Sequence, residues 1–166
     1  MGTYLGWRHS YYAPPHILKG KMDIVYEEDS HCLRTYEHFR VPAGVMGEDS
    51  GEINFQRIGY IWPTRHNTYV MFSQKPGQKD IQIAFLNKSL VNAKTLDIGS
   101  METIEGVLLD WQWPDFYMTK LFMQKRSKPL PEAEIGLKTK EEVPGPVLIK
   151  LQERFRGPNP FLRVYK

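Results

Sequence analysis

Residues 52–87 carry the pattern that decides the fold: "EINFQRIGYIW" (52–62), "NTYVMFSQK" (67–75) and "KDIQIAFLN" (79–87), parted by Pro63-Thr64-Arg65-His66 and Pro76-Gly77-Gln78. Each run is rich in β-branched and aromatic residues. Within the third, Ile81, Ile83 and Phe85 alternate with Asp80, Gln82 and Ala84. A period of two belongs to strands, and Pro and Gly between the runs belong to turns. Outward from this core the rhythm continues through "GKMDIVYEE" (20–28), "HCLRTYEHFR" (31–40), "AKTLDIG" (93–99), "ETIEGVLLDW" (102–111) and "DFYMTKLFMQKR" (115–126). The N-terminal "TYLGWRHSYY" (3–12) adds one more. The reading is an all-β, antiparallel up-and-down sheet of about nine or ten strands, closed into a barrel because closure removes exposed edges.

Both faces of "DFYMTKLFMQKR" are apolar, so one side is expected to meet the core and the other a second buried surface. Helix is expected at two places only. "PPHILKG" (14–20) suits a single turn leading into the barrel. "PLPEAEIGLKTKEEV" (129–143) suits a short helix, with Pro near its first position and acidic residues in its first turn. Pro144-Gly145-Pro146 then breaks the chain, and the segment that follows fits strand or helix equally well. It is basic, with Lys150, Arg154, Arg156, Arg163 and Lys166. The expected organisation is one barrel domain over 1–140 and a basic extension over 141–166 that packs on the barrel or mediates assembly.

Composition narrows the function. The chain has 166 residues, 13% of them aromatic, a net charge of +3 and a single cysteine, Cys32. That excludes an internal disulfide and a cysteine-based zinc cage, and it fits a reducing, cytoplasmic setting. No apolar run approaches a membrane span, and the N-terminus lacks the basic-then-apolar pattern of a secretion signal. A charge this small, with basic residues spread thinly over the C-terminal arm, disfavours nucleic acid as a partner. No nucleophile elbow, P-loop, dinucleotide fingerprint or His-Glu-x-x-His zinc motif is present.

The candidate residues are therefore polar groups on strands. By alternation Tyr36 and His38 share one face of "HCLRTYEHFR" and Glu37 the other. Arg57 stands with Ile53, Phe55, Gly59 and Ile61. If that face looks inward, Arg57 needs an anion or a carboxylate such as Glu37 or Glu105, because an unpaired buried charge is too costly. Tyr60 and Trp62 share the opposite face. Trp111, Trp113 and Leu109 form a stripe expected to be core or ligand wall, with Asp110 turned the other way as a cap before Pro114.

Four stretches fall in the order seen in nitrobindin-type proteins: "LGWR" (5–8), "MDIVYEE" (22–28), "INFQRIGYIWPTRHNTYVMFSQKPG" (53–77) and "DFYMTKLFMQKRSKPLPEAEIGLKTK" (115–140). Over residues 4–140 the chain thus resembles the nitrobindin-like, fatty-acid-binding-protein-like group of calycin barrels. The resemblance implies the barrel but not that family's haem chemistry. Its haem ligand is a histidine on the closing helix, whereas here no histidine follows His66 and the matching segment reads "KPLPEAEIGLK". Glu132 and Glu134 are poor replacements for imidazole on iron. No cofactor and no metal site are expected, the purified protein should be colourless, and hemin should bind only non-specifically. In such a barrel Trp7 is expected to plug the closed end with Arg8 beside it. His9, Tyr11, Tyr12 and His16 would then lie toward the open end.

Three functions follow. The first is a haem-less barrel holding a small, largely apolar ligand, aromatic or anionic, with His9, Tyr12, His16, Tyr60, Trp62, Trp111 and Trp113 around it. The second is a cofactor-independent isomerase, cyclase or decarboxylase. In it Tyr11 and Tyr36 orient an oxygen, Arg57 holds an anion, and Glu37 or His38 moves a proton. The third is an assembly protein that forms a homo-oligomer or binds a partner through the C-terminal arm.

Overall fold

Strands β1 (Gly2–His9), β2 (Ile17–Glu27), β3 (Cys32–Val41), β4 (Ile53–Pro63), β5 (Thr68–Gln74), β6 (Ile81–Asn87), β7 (Thr103–Gln112) and β8 (Asp115–Arg126) pair antiparallel in chain order. The pairing of β1 with both β2 and β8 closes them into a barrel. The computed structural model describes residues 2–10, 13–42, 44–45, 52–64, 68–77, 81–87, 102–112, 115–128 and 130–152, with backbone alone at 68, 111–112 and 115–116. The run read at 93–99 lies outside them.

Strand alternation sorts side chains into lumen and outer wall. The half of the lumen nearer the β2–β3 turn is a dry core in which Tyr4, Met22, Ile61, Met71, Leu86 and Leu108 meet. Two glycines make room where the wall bends. A Cβ on Gly59 would stand 2.3 Å from the Phe72 carbonyl oxygen, and one on Gly106 would stand 2.4 Å from that of Phe85. Above the dry core comes a layer of polar side chains. Beyond that layer, on the β2–β4 side, Leu18, Phe39, Val41 and Phe55 form a smaller apolar cluster in which Phe39 and Phe55 stack at 4.9 Å.

Several expectations are corrected. Strand β2 begins at Ile17, so "PPHILKG" is not a helical turn; a cis Pro14-Pro15 bend leads directly into pairing. The expected helix over 129–143 is instead two 3-10 turns, Glu132–Glu134 and Lys140–Glu142, flanking a three-residue strand β9 (Gly136–Lys138). Gly136, at φ +128°, holds a conformation a helix cannot use, and its neighbours pair with β2. The helix lies later, at α1 (Gly145–Gln152).

This helix changes the reading of Trp7. With Leu5, Ile17 and Phe122, Trp7 faces outward from the wall, buried under Val143, Val147 and Leu151. It does not plug the lumen. Tyr4, Gly6 and Arg8 take the inward positions of β1, because side chains alternate and Gly6 lies opposite the inward-facing Met123. The C-terminal segment thus gives the barrel a second, external core on β1 and β8.

Strands β2 and β3 pair only from Lys21↔His38 to Glu27↔Cys32. Before Gly20 they part, and β9 takes the open edge of β2 through Ile17↔Lys138, Leu18↔Leu137 and Lys19↔Gly136.

Candidate functional site: a polar layer inside the barrel

The polar layer gathers one or two inward positions from most of the strands. Arg8, Thr35, Arg57, Ser73, Gln82 and Asp110 are all buried. Register explains the convergence: Thr35 stands opposite Gly59, Gly59 opposite Ser73, Ser73 opposite Gln82, and Gln82 opposite Asp110. Glu37 and Arg57, the next pair along, also face each other.

A relay of side chains runs through this layer. The Ser73 hydroxyl donates to Gln82 Oε1 at 3.4 Å, and Gln82 Nε2 donates to Asp110 Oδ2 at 2.5 Å. Asp110 Oδ1 then lies 3.7 Å from Arg57 Nη2. A second pair, Arg8 Nη1 and Glu37 Oε1, stands at 3.6 Å, and the Arg8 guanidinium sits 5.0 Å over the Phe39 ring. Both ion pairs attract across a low-dielectric interior, yet both exceed direct hydrogen-bond distance.

Arg57 is the most demanding member. Its side chain has no solvent exposure, and its Nε, Nη1 and Nη2 make no hydrogen bond among the described residues. A guanidinium carries five N–H donors, and leaving them unmet in a dry interior is costly. Beside Arg8 and Glu37 the facing glycines Gly6 and Gly20 leave a cavity of about 10 Å³, the room of a single water. Outside the barrel, Pro15, His16 and Thr139–Glu141 border a shallow concavity of about 260 Å³. There burial, aided by the Lys140 ammonium, pushes the His9 imidazole below its ordinary value. The Glu142 carboxylate accepts from the Thr139 N–H at 2.8 Å, and this bond holds its acid below the usual range.

The structure divides the candidate residues. Glu37 and Arg57 come together in the lumen. Tyr36 and His38, on the same strand as Glu37, point through the other side of the wall, and Tyr36 packs under the Arg34 guanidinium at 5.6 Å. The set Tyr36, Glu37, His38 and Arg57 therefore does not converge. Tyr60 is half-buried and Trp62 exposed on the outer face of β4. His9 and His16 are half-buried near the polar end, and His16 Nδ1 lies 3.0 Å from the Ala13 carbonyl oxygen. Tyr11, Tyr12, Trp113 and the Trp111 side chain lie outside the described residues.

The carboxylate in ion-pair range of Arg57 is Asp110, although Glu37 stands opposite Arg57 in register. Glu105 lies on the outer wall and pairs with Lys150 of α1 at 3.1 Å, and Glu37 pairs with Arg8. Asp110 with Leu108 takes the lumen side of β7 and Leu109 the outer side, reversing the reading of the Leu109 stripe as core. Arg8, Thr35, Ser73 and Gln82 are the members that sequence reasoning missed. The signal available was a lone polar residue within an otherwise apolar alternation, Ser73 with Tyr69 and Met71 or Gln82 with Ala84 and Leu86.

In comparisons with known proteins, no protein family, no curated protein and no solved structure matches this chain. The closed eight-stranded antiparallel barrel is consistent with a calycin-like architecture. Among the described residues no group of three His, Cys, Asp or Glu side chains is placed to hold a metal ion, and no helix is long and apolar enough to cross a membrane.

Proposed function

We propose that the barrel binds a small, largely apolar molecule by an oxygen-bearing head group, with Arg57 as its anchor. One observation carries this reading: a fully buried guanidinium whose nitrogens make no hydrogen bond among the described residues. Asp110 accepts a hydrogen bond from Gln82 at 2.5 Å and meets Arg57 only at 3.7 Å, so an incoming carboxylate or enolate oxygen can take the Arg57 donors while Gln82 keeps Asp110 in place. Phe39 and Phe55, stacked at the border of the layer, supply an apolar surface for the body of the ligand. The cavity beside Arg8 holds only a water, so ligand entry requires the apolar cluster around Phe39 to give way.

The test is calorimetric titration of paired aromatic and alkyl compounds, each carboxylate against its matching alcohol. The carboxylates are expected to bind more tightly, and the Arg57→Met/Asp110→Asn double variant, which removes both buried charges together, to abolish that preference while the protein remains folded. Equal affinity for both members of every pair, or no binding by any compound, overturns the proposal. Of its described candidates the isomerase, cyclase or decarboxylase reading has Glu37 and Arg57 in the lumen, and no observation favours it over binding.

A further inference from the structure

The outer wall of β4, β5 and β6 carries the apolar half of the alternation. Ile58, Tyr60 and Trp62 of β4 lie beside Val70 and Phe72 of β5, and these lie beside Ile83 of β6. The patch is exposed where it matters: Trp62 by 45%, Phe72 by 42% and Ile81 by 39%. Its aromatic rings pack on each other, Tyr60 against Trp62 at 5.7 Å and Trp62 edge-on to Phe72 at 5.6 Å. No described residue of β4–β6 places a charged side chain on this face.

We infer that this wall pairs face to face with the same wall of a second copy of the chain. Size is the first argument. Three strands, β4–β6, at about 4.8 Å spacing and three same-face residues along each give an apolar area on the order of 300 Å². That is the scale of a functional patch, and it suits the dry centre of an interface burying roughly 800 Å² per partner, the remainder being polar rim.

Charge is the second argument. At the border on β2 and β3 each charge already has its counter-ion: Arg34 pairs with Glu27, and Lys21 Nζ with Asp23 Oδ2 at 2.7 Å. Among the described residues the face therefore presents no unpaired charge to a nucleic acid or to anionic lipid headgroups, and an equally uncharged sheet face suits it best. Two sheets stacked about 10 Å apart, as in a β-sandwich, bury such residues on both sides at once. A closed two-fold pair also leaves neither wall exposed to a third copy.

Sedimentation equilibrium of the full chain tests this. The expected mass is twice the 19.4 kDa of one chain. Phe72→Glu, at the centre of the wall, and Trp62→Glu are each expected to give a folded monomer by circular dichroism. Ile149→Glu, on the far side of the molecule at the 61% exposed position of α1, should leave the dimer intact. Should Phe72→Glu fail to fold, Trp62→Glu carries the decision. A wild-type monomer overturns the inference, whether or not it floats with phosphatidylcholine vesicles. A dimer that survives both wall substitutions, or one that Ile149→Glu dissociates, overturns it as well.

Discussion

Replacing the buried pair Arg57–Asp110 separates a functional layer from a structural one. Removing one partner strands the other charge in the lumen, so Arg57→Met alone should cost about 3–5 kcal/mol of unfolding free energy, and Asp110→Asn alone a similar amount. The double variant behaves differently. Methionine fills much of the volume of the arginine stem. The amide oxygen that Asp110→Asn introduces can still accept the hydrogen bond that Gln82 donates, which spans 2.5 Å in the wild type. Two desolvated charges vanish together. Their attraction acts across 3.7 Å without hydrogen-bond geometry, so little is lost with them. The double variant is therefore expected to equal the wild type or exceed it by about 1–4 kcal/mol. Urea denaturation of all four proteins, analysed as a double-mutant cycle, gives the answer. A double variant less stable than the wild type by more than about 2 kcal/mol, on the scale of a broken network, would show that the layer holds the barrel together. The reasoning that it persists at a cost in stability would then fail.

Gly59→Ala drives a Cβ to 2.3 Å from a backbone oxygen and 2.7 Å from Ser73 Cβ, so neither neighbour can yield cheaply; thermal melts should show a loss beyond the ~1–3 kcal/mol of ordinary overpacking. Leu151→Ala opens a cavity between α1 and Trp7, and is expected to cost about 2–5 kcal/mol and to red-shift tryptophan emission while the barrel's far-ultraviolet dichroism persists. His9, held below its ordinary 6.5 in the folded state, should make the protein fully stable above that pH and progressively weaker as pH falls through it toward the folded value. Melting temperatures recorded over roughly pH 5 to 7 should show that slope, and His9→Gln should flatten it; an unchanged slope in the variant would assign the effect elsewhere.

The strands were legible because turn residues cut the chain into runs of strand length with period-two patterning. What alternation does not reveal is which side faces in when both sides are apolar. In "IQIAF" the isoleucines and phenylalanine look like core, yet Gln82 and Ala84 take the lumen and Ile81, Ile83 and Phe85 the outer wall. Gln82 reads as a surface residue until Asp110 is seen across from it. Asp110 in turn resembles a turn cap, because Pro114 follows so soon. Arg57 was legible only conditionally as an inward charge, because Phe55 and Ile61 on its face and Ile58, Tyr60 and Trp62 on the other are all apolar. Arg8 was legible only as a neighbour of Trp7, and placing it in the lumen requires knowing that α1 covers the other face of β1. The expected helix at 129–143 failed at Gly136, a position composition alone does not mark as left-handed.

The seam between β2 and β3 gives the wall a hinge line. Elsewhere neighbouring strands share ladders of six to ten residue pairs, whereas β9 holds its stretch of β2 through three. Local opening draws on the least-bonded element, so the amides of β9 should exchange with deuterium before those of the strands around it. Leu18, which β9 pairs with through Leu137, also borders the small cavity shared with Gly20, Glu37 and Phe39. If β9 lifts, water reaches a carboxylate and a guanidinium sideways, through the wall, without the barrel unrolling. Among the described elements the least-bonded part of the wall thus lies next to the buried charges, and a three-residue clasp is all that must open to let solvent through it.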